Sequence, residues 1–325
     1  TSTLEAKYKV LKTKENLNTN IGLALTLLSY QDEEMIVLEM GMNHIGEIKE
    51  LSLIAKPDVA VITNIGTAHI GNLGSRENIL KAKLEILEGL NGPIIINNDN
   101  DLLHEWAEKN KDNYKIITFG IDEESDYNVN DITYDKEGSH FYLNQEKVDI
   151  NVIGKHFIYN SLVAFSIADL YHISHDLVRK KLKNIVLEPN RMELISNKYT
   201  IINDTYNASY DSVYYALEVL SSFKTRKIAV LGDILELGEF GEEIHRKIGE
   251  LITTFHIDIL VTVGALSNLI NEEAMKNGYQ EENSYHFKSN EEAIKVLNSI
   301  KKENDVILVK ASNSMYFIEI VKGII

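Results

Sequence analysis

The stretch Asp58 to Leu90, DVAVITNIGTAHIGNLGSRENILKAKLEILEGL, runs an apolar strand into a glycine-rich turn and then into a helix with no intervening linker. That order leaves few choices of fold. Val59 to Ile62 is an apolar run after Pro57, the pattern of a parallel strand covered on both faces. Open α/β sheets present their ligands at the carboxyl ends of such strands, and here that end offers Asn64, Thr67 and His69. Ser75 is a candidate N-cap for the next helix, in which Ile79, Ala82, Ile86, Leu87 and Leu90 are spaced for one apolar stripe. Lys83 falls inside that stripe. Its simplest reading is a stem lying along apolar surface with its amine in water. The alternative is an amine held on the covered side, where lost hydration favours the neutral, nucleophilic form.

The same alternation continues in both directions. Met35 to Met40 (MIVLEM) reads as an earlier strand that ends in a carboxylate, Glu39, and a helical segment at Gly46 to Ala55 leads from it into the organising strand as one βαβ unit. Tyr8 to Leu11 reads as a short strand before it. Pro93 to Asn97 and Lys115 to Phe119 are further buried strands around the helical Asp101 to Asn110. From Ser125 to Ile153 the pattern changes to strict alternation with a turn at Lys136 to Ser139, which predicts a small antiparallel appendage. After Pro189 strands and helices alternate again through Lys310, which predicts a second, Rossmann-like domain. The expected fold is therefore α/β, with a mostly parallel central domain over residues 1–189 and a C-terminal Rossmann-like domain over residues 190–325.

Composition narrows the function. No cysteine is present, so disulfides, thiolate zinc sites and a cysteine nucleophile are excluded, and a reducing, cytoplasmic setting is expected. A net charge of -16 argues against nucleic-acid binding, which needs a basic face. No apolar run approaches a membrane span, and no charged-plus-apolar leader opens the chain.

Candidate chemistry gathers at strand ends. Glu39 and His69 each follow an apolar strand, and if those strands are parallel neighbours their ends lie close together. One carboxylate and one imidazole with water suit magnesium or manganese beside phosphates better than structural zinc. Taken singly, each is as well explained by a surface carboxylate and a packed or solvated histidine. A desolvated Lys83 amine adds carbon dioxide to give a carbamate, which turns a misplaced cation into an anionic metal ligand. In the second half, NDTYNAS at Asn203 to Ser209 follows a strand directly, so that Asp204 and Asn207 sit where nucleotide hydroxyls or phosphates are held, although Asn and Asp favour plain turns equally well. Asp233 in LGDILELGE and Lys310 to Asn313 are two more polar strand ends expected on the same cleft.

VLEMGMNHIGEI, TNIGTAHIGNLGS, KAKLEIL, GKHFIYN, EPNRMEL, DTYNAS and AVLGDILELGE, in that order over nearly the whole chain, resemble the Mur ligases. LGDILELGE with NDTYNAS resembles the branch that adds D-alanyl-D-alanine to UDP-N-acetylmuramoyl-tripeptide. The resemblance implies an ATP-dependent amide ligase in which ATP phosphorylates a substrate carboxylate and an amine attacks the acyl phosphate. It implies ATP and Mg2+ as cofactors, Glu39 and His69 as magnesium ligands, Lys83 as a carbamylated lysine, Asn160 as the adenine contact, and Arg191, Asp204 and Asn207 as the residues that hold ATP. It also implies a monomer in the cytoplasm. Two alternatives stand beside it: a folylpolyglutamate synthase-like or other Mur-type ligase, and a catalytically silent nucleotide-binding relative.

Two departures qualify the resemblance. The family's glycine-rich Gly-Lys-Thr loop and N-terminal domain are not in the chain, although Thr1-Ser2-Thr3 reads as the tail of that loop. Only four residues separate it from Tyr8, too few for the helix that normally follows. The chain as it stands is thus expected to fold but not to ligate, because nothing cradles the β- and γ-phosphates. The second departure is Lys310-Ala-Ser-Asn, where the family tends to have a glycine and an arginine.

Overall fold

The computed structural model describes residues 1–135 and 137–325, and the chain falls into two compact units. The first comprises Thr1–Gly66 with Asn72–Ile185, the second Thr67–Gly71 with Val186–Ile325. Both are mixed α/β with mostly parallel sheets. No helix among the described residues is long and apolar enough to cross a membrane.

In the first unit a parallel pair, β1 (Val10–Lys12) and β2 (Met35–Val37), stands apart from a six-stranded sheet. That sheet runs β3 (Ala60–Ile62), β4 (Ile94–Asn97), β5 (Ile116–Gly120), β6 (Tyr127–Asp135), β7 (Gly138–Leu143) and β8 (Glu146–Ile150) in spatial order. β3 to β6 are parallel, and β6 to β8 are antiparallel hairpins that extend the same sheet. Ile94, Ile95 and Ile96 of β4 are all fully buried, as a strand covered on both faces requires. The helices are α1 (Asn20–Leu28), α2 (Glu47–Ala55), α3 (Ile70–Leu73), α4 (Arg76–Leu84), α5 (Asp101–Asn110), α6 (Lys155–Leu170) and α7 (His175–Leu182).

Three expectations are corrected here. MIVLEM is not a neighbour of β3: β2 pairs only with β1 and leaves Ile36 41% exposed, so three residues of ladder are all that its sequence supports. The first strand lies at Val10–Lys12, not Tyr8 to Leu11. The helix capped by Ser75, whose side chain accepts from the Asn78 N–H, ends as an α-helix at Leu84 and tightens into a 3-10 turn at Glu85–Glu88. There Glu85 turns away from the helix to accept the Gly46 N–H at 2.7 Å and the Lys49 N–H at 3.2 Å. Gly46, at φ +100°, opens α2, so a carboxylate from elsewhere satisfies donors that a helix start leaves orphaned. Of the expected turn at Lys136 to Ser139, Lys136 lies outside the described residues.

The second unit has a six-stranded sheet in the order β13 (Ser284–Phe287), β12 (Ile259–Val263), β11 (Lys227–Gly232), β14 (Val306–Lys310), β10 (Thr200–Asn203) and β9 (Glu193–Ser196). Every pairing is parallel except β9 with β10. α8 (Tyr210–Ser221), α9 (Gly241–Thr254), α10 (Asn268–Lys276), α11 (Asn290–Ile300) and α12 (Ile318–Ile324) connect and cover the strands. The core on one side is built from Val230, Val261, Ile307 and Val309 with Leu297, Phe317 and Ile320. β14 returns between β11 and β10, so the three strands that end in polar residues lie side by side at a point where the order reverses.

The β6–β8 hairpins carry a pH-dependent contact. His140 on β7 faces Asp149 across the ladder, with Nδ1 2.7 Å from Oδ1, while Nε2 lies 3.1 Å from Asp135. The Asp149 and Asp135 carboxylates hold the imidazole above its ordinary pKa, and Lys147 shares Asp149. A raised histidine contributes fully below its unfolded value of about 6.5 and loses that contribution as pH rises through the folded value. His140→Thr is therefore expected to lower hydrogen-exchange protection of β7 and β8 by about 1 kcal/mol at mildly acidic pH. The difference is expected to vanish at alkaline pH, and a deficit that grows with pH contradicts the ion pair.

Candidate active site

In the second unit, register brings three strand ends together. Ile202 pairs with Leu308 and Asn203 with Val309 on one side of β14, and Leu231 pairs with Lys310 on the other. Asp204, the next residue, donates its N–H to the Val309 carbonyl at 3.0 Å, which carries its side chain beside Lys310. The Lys310 ammonium, 2% exposed, donates to Asp204 Oδ2 at 2.5 Å and to the Asn207 carbonyl at 2.9 Å. The other carboxylate oxygen of Asp204 accepts the Met192 N–H at 3.2 Å. Asn203 donates to Asn190 and Glu193 and accepts from Thr205, so the residues before and after the carboxylate are fixed as well.

Arg191 completes this knot. Its guanidinium lies 3.7 Å from the centroid of the Tyr206 ring, and the Tyr206 backbone is held by the Asn190 carbonyl and by the Asn313 side chain, which donates to the Tyr206 carbonyl at 2.8 Å. A guanidinium stacked on an aromatic face keeps its edge N–H groups free for an anion. Arg191, Asp204 and Asn207 thus gather on one loop system, with a stacked cation and a buried acceptor.

Asp233 behaves differently from its expected role. Its carboxylate accepts the N–H groups of Ala265 at 2.9 Å and Ser267 at 2.7 Å, pinning the turn after β12, where Gly264 at φ +130° leaves no room for a side chain against it. That strand end is polar, but its acid is spent on the fold. The Asp233 carbonyl also accepts the Ser312 N–H, and the Ser312 hydroxyl accepts from Leu235. His245, fully buried, donates from Nδ1 to the Gly241 carbonyl and accepts the Ile234 N–H on Nε2, and burial lowers its pKa, so it stays neutral.

In the first unit the end of β3 is held by α4. Lys83, half-buried, donates to the Asn64 carbonyl at 2.7 Å, so its amine is held at a strand end rather than extended into solvent. Arg76 donates to the Ile65 carbonyl and pairs with Asp101, and Asn100 donates to the Asn64 side chain at 2.9 Å. Glu39, exposed, accepts from the Asn18 side chain at 3.0 Å, and its N–H donates to Thr13 Oγ1. Glu39 and His69 do not follow neighbouring parallel strands, because β2 and β3 belong to different sheets. Thr67 and His69 belong to the second unit, where Thr67 donates to Asp211 from both N and Oγ1 and His69, at φ +63°, lies 3.2 Å from Glu236. Asn64, Thr67 and His69 therefore serve separate partners.

Among the described residues no three or more His, Cys, Asp or Glu gather as a metal site. The donor chemistry of Glu39 still suits a hard cation, since magnesium commonly takes one or two protein ligands and completes its shell with water and substrate phosphates.

Asn160 is exposed on α6, one residue beyond the buried Tyr159, and what fixes that helix went unread in the sequence. Asp99, just past β4, accepts the Tyr159 hydroxyl at 2.7 Å and the N–H groups of Ile121 at 2.6 Å, Asp122 at 3.1 Å and Glu123 at 2.7 Å. The run NNDND reads as turn formers only, and its one signal is an acid two residues after a fully buried strand.

Comparison with known proteins decides the family. A model of the Mur ligase middle domain matches residues 1–168, and one of the Mur ligase glutamate ligase domain matches residues 190–313. The UDP-N-acetylmuramoyl-tripeptide–D-alanyl-D-alanine ligase of Bacillus subtilis is 37% identical over 99% of this chain and 71% of its own. The chain belongs to the Mur ligase family. Among solved Mur ligases, MurF from Acinetobacter baumannii superposes with a TM-score of 0.90 at 28% identity, covering 99% of this chain and 72% of that one. MurF from Thermotoga maritima in complex with ADP gives 0.88 at 27% identity, covering 99% and 74%.

The Asp99 carboxyl pins the loop between β5 and β6. Burial alone would raise it, but the Tyr159 hydroxyl and the N–H groups of Ile121, Glu123 and Asp122 hold it below the usual carboxylate range. Such a group stabilises above its unfolded pKa of about 3.9 and loses that contribution as pH falls through the folded value. Asp99→Ala is expected to cost about 2 kcal/mol near neutral pH and to speed amide exchange at residues 121–123. Unchanged exchange there contradicts the role.

Proposed function

We propose that this chain forms an amide bond between D-alanyl-D-alanine and UDP-N-acetylmuramoyl-tripeptide at the expense of ATP, with residues 1–189 as the ATP-binding domain and residues 190–325 as the C-terminal domain. The observation that carries the reading is the match to the B. subtilis ligase across 99% of the chain. The ADP complex of the T. maritima relative supports nucleotide binding.

In this reading ATP phosphorylates the tripeptide carboxylate, the D-alanyl amine attacks the acyl carbon, and phosphate leaves as the amide forms. The protein contributes position and charge rather than covalent chemistry. Asn160 meets the adenine. Asp204, an acceptor with a fixed carboxylate, suits ribose hydroxyls, and Arg191, a stacked guanidinium, suits phosphate oxygens. Asn207 holds the turn that carries Asp204. Glu39 and His69 would hold Mg2+, and Lys83 would join them as a carbamate, formed when its neutral amine adds carbon dioxide and releases one proton. Magnesium, when bound, neutralises charge on the transferring phosphoryl group. The protein works as a monomer in the cytoplasm, without nucleic acid.

The complete gene product tests this. ADP release is expected to require both the tripeptide nucleotide and D-alanyl-D-alanine, and turnover with a single amino acid in place of the dipeptide overturns the assignment. Asn160→Ala is expected to raise KM for ATP with kcat retained, while Arg191→Ala is expected to lower kcat about a hundredfold. Lys83→Ala is expected to lose activity that added formate or acetate partly restores; no rescue at any concentration counts against the carbamate.

A further inference from the structure

We infer that Lys310 is a positioning residue that sets the Asp204 carboxylate and the Asn207 turn for the nucleotide, and that it does not itself touch phosphate. The inference rests on the nucleotide reading above and adds to it the residue that shapes the site. A lysine after a strand end, beside a loop read as holding ATP, is most simply taken as a phosphate ligand. Its surroundings say otherwise. The side chain is 2% exposed, and its ammonium spends two N–H groups inside the protein, on Asp204 Oδ2 and on the Asn207 carbonyl. A buried ammonium is tolerated only when paired and hydrogen-bonded, so removing either partner is costly. Two of its three N–H groups are thereby committed, and a side chain only 2% exposed offers the third little access to a phosphate.

What Lys310 does is close a clamp. The turn from Asn203 to Ser209 is gripped at two points by the segment after β14: Lys310 holds Asp204 and the Asn207 carbonyl, and Asn313 holds the Tyr206 carbonyl. Tyr206 is the platform on which the Arg191 guanidinium stacks. On the opposite side the Met192 N–H fixes the second Asp204 oxygen. The carboxylate is thereby locked in one rotamer before any ligand arrives, so a hydroxyl that binds it incurs no ordering cost. Asn313 stands where the family resemblance implies an arginine, and here its amide serves this grip.

The experiment measures dissociation constants of adenosine, ADP and ATP by calorimetry for the unmodified chain, Lys310→Met, Asp204→Asn and the double variant, with thermal melts in parallel. Lys310→Met is expected to weaken all three ligands by the same factor, about tenfold. The double variant, whose neutral amide no longer needs a cation, loses only the grip on the Asn207 carbonyl and is expected to bind less than about tenfold worse than Asp204→Asn alone. This second comparison holds even if Lys310→Met does not fold. A loss that grows from adenosine to ADP to ATP overturns the inference in favour of a direct phosphate contact. Unchanged affinity in folded Lys310→Met, or a double variant about tenfold or more weaker than Asp204→Asn, also overturns it. Failure of the unmodified chain to bind any of the three overturns the nucleotide reading itself.

Discussion

A parallel strand covered on both faces leaves no side-chain position for polar chemistry along its length, and that constraint organises both units. Ile94 to Ile96 and Ile307 to Val309 are fully buried, so on these two strands polar groups emerge only where the strand stops. At each such end the chain must also satisfy the backbone carbonyls that the ladder no longer uses. The two demands are met by the same residues. Lys83 and Arg76 cap the carbonyls of Asn64 and Ile65 after β3, and Lys310 caps the carbonyl of Asn207 after β10. Cations that close the fold are thereby delivered to the edge of the sheet where ligands bind.

The charge of the whole chain makes this placement consequential. With 49 acidic residues against 33 basic ones, the average field repels an anionic substrate, so attraction has to be local. Many of the cations are committed to exposed helix pairs such as Lys109 with Glu105 and Lys247 with Glu243, which contribute little at a distance in salt. Arg191 is set apart from these. Among the described residues its contact is the Tyr206 ring rather than a carboxylate, beside the strand ends where the sheet order reverses.

The sequence was legible where one period dominated and opaque where contacts were long-range. β4, β5, β11, β12 and β14 each announce themselves as apolar runs, and the order of motifs from VLEMGMNHIGEI to AVLGDILELGE carried the family. β13, Ser-Tyr-His-Phe, has no such run and lies half-buried at a sheet edge, so it escaped notice. MIVLEM has the run but only three laddered residues, because hydrophobicity gives the propensity of a strand and not its neighbour. The same limit governs the site. Asp204 and Asp233 look alike from sequence, each an acid after a buried strand, yet one is aligned by a lysine beside a stacked arginine and the other pins the turn after β12. Asp99 was invisible because its partners come from residues 121–123 and from Tyr159, far along the chain.

The departure at Lys310-Ala-Ser-Asn also follows from packing. β11 and β14 are neighbours, and a Cβ at Gly232 would lie 2.7 Å from the Ala311 methyl and 2.5 Å from the Phe317 ring, so the two strand ends have space for one small side chain between them. Where the family resemblance implies glycine, this chain has placed alanine on the β14 side and kept glycine on the β11 side. The methyl is fully buried against Phe317, which closes the core directly beneath the Lys310 and Asp233 ends. Overpacking of such a contact shifts side chains and backbone together, and the backbone here is the segment whose Ser312 N–H meets the Asp233 carbonyl and whose Lys310 meets Asp204. Gly232 is thus tied to the loop after β10 without touching it: its missing side chain leaves room for Ala311 at the end of β14, where Lys310 reaches Asp204.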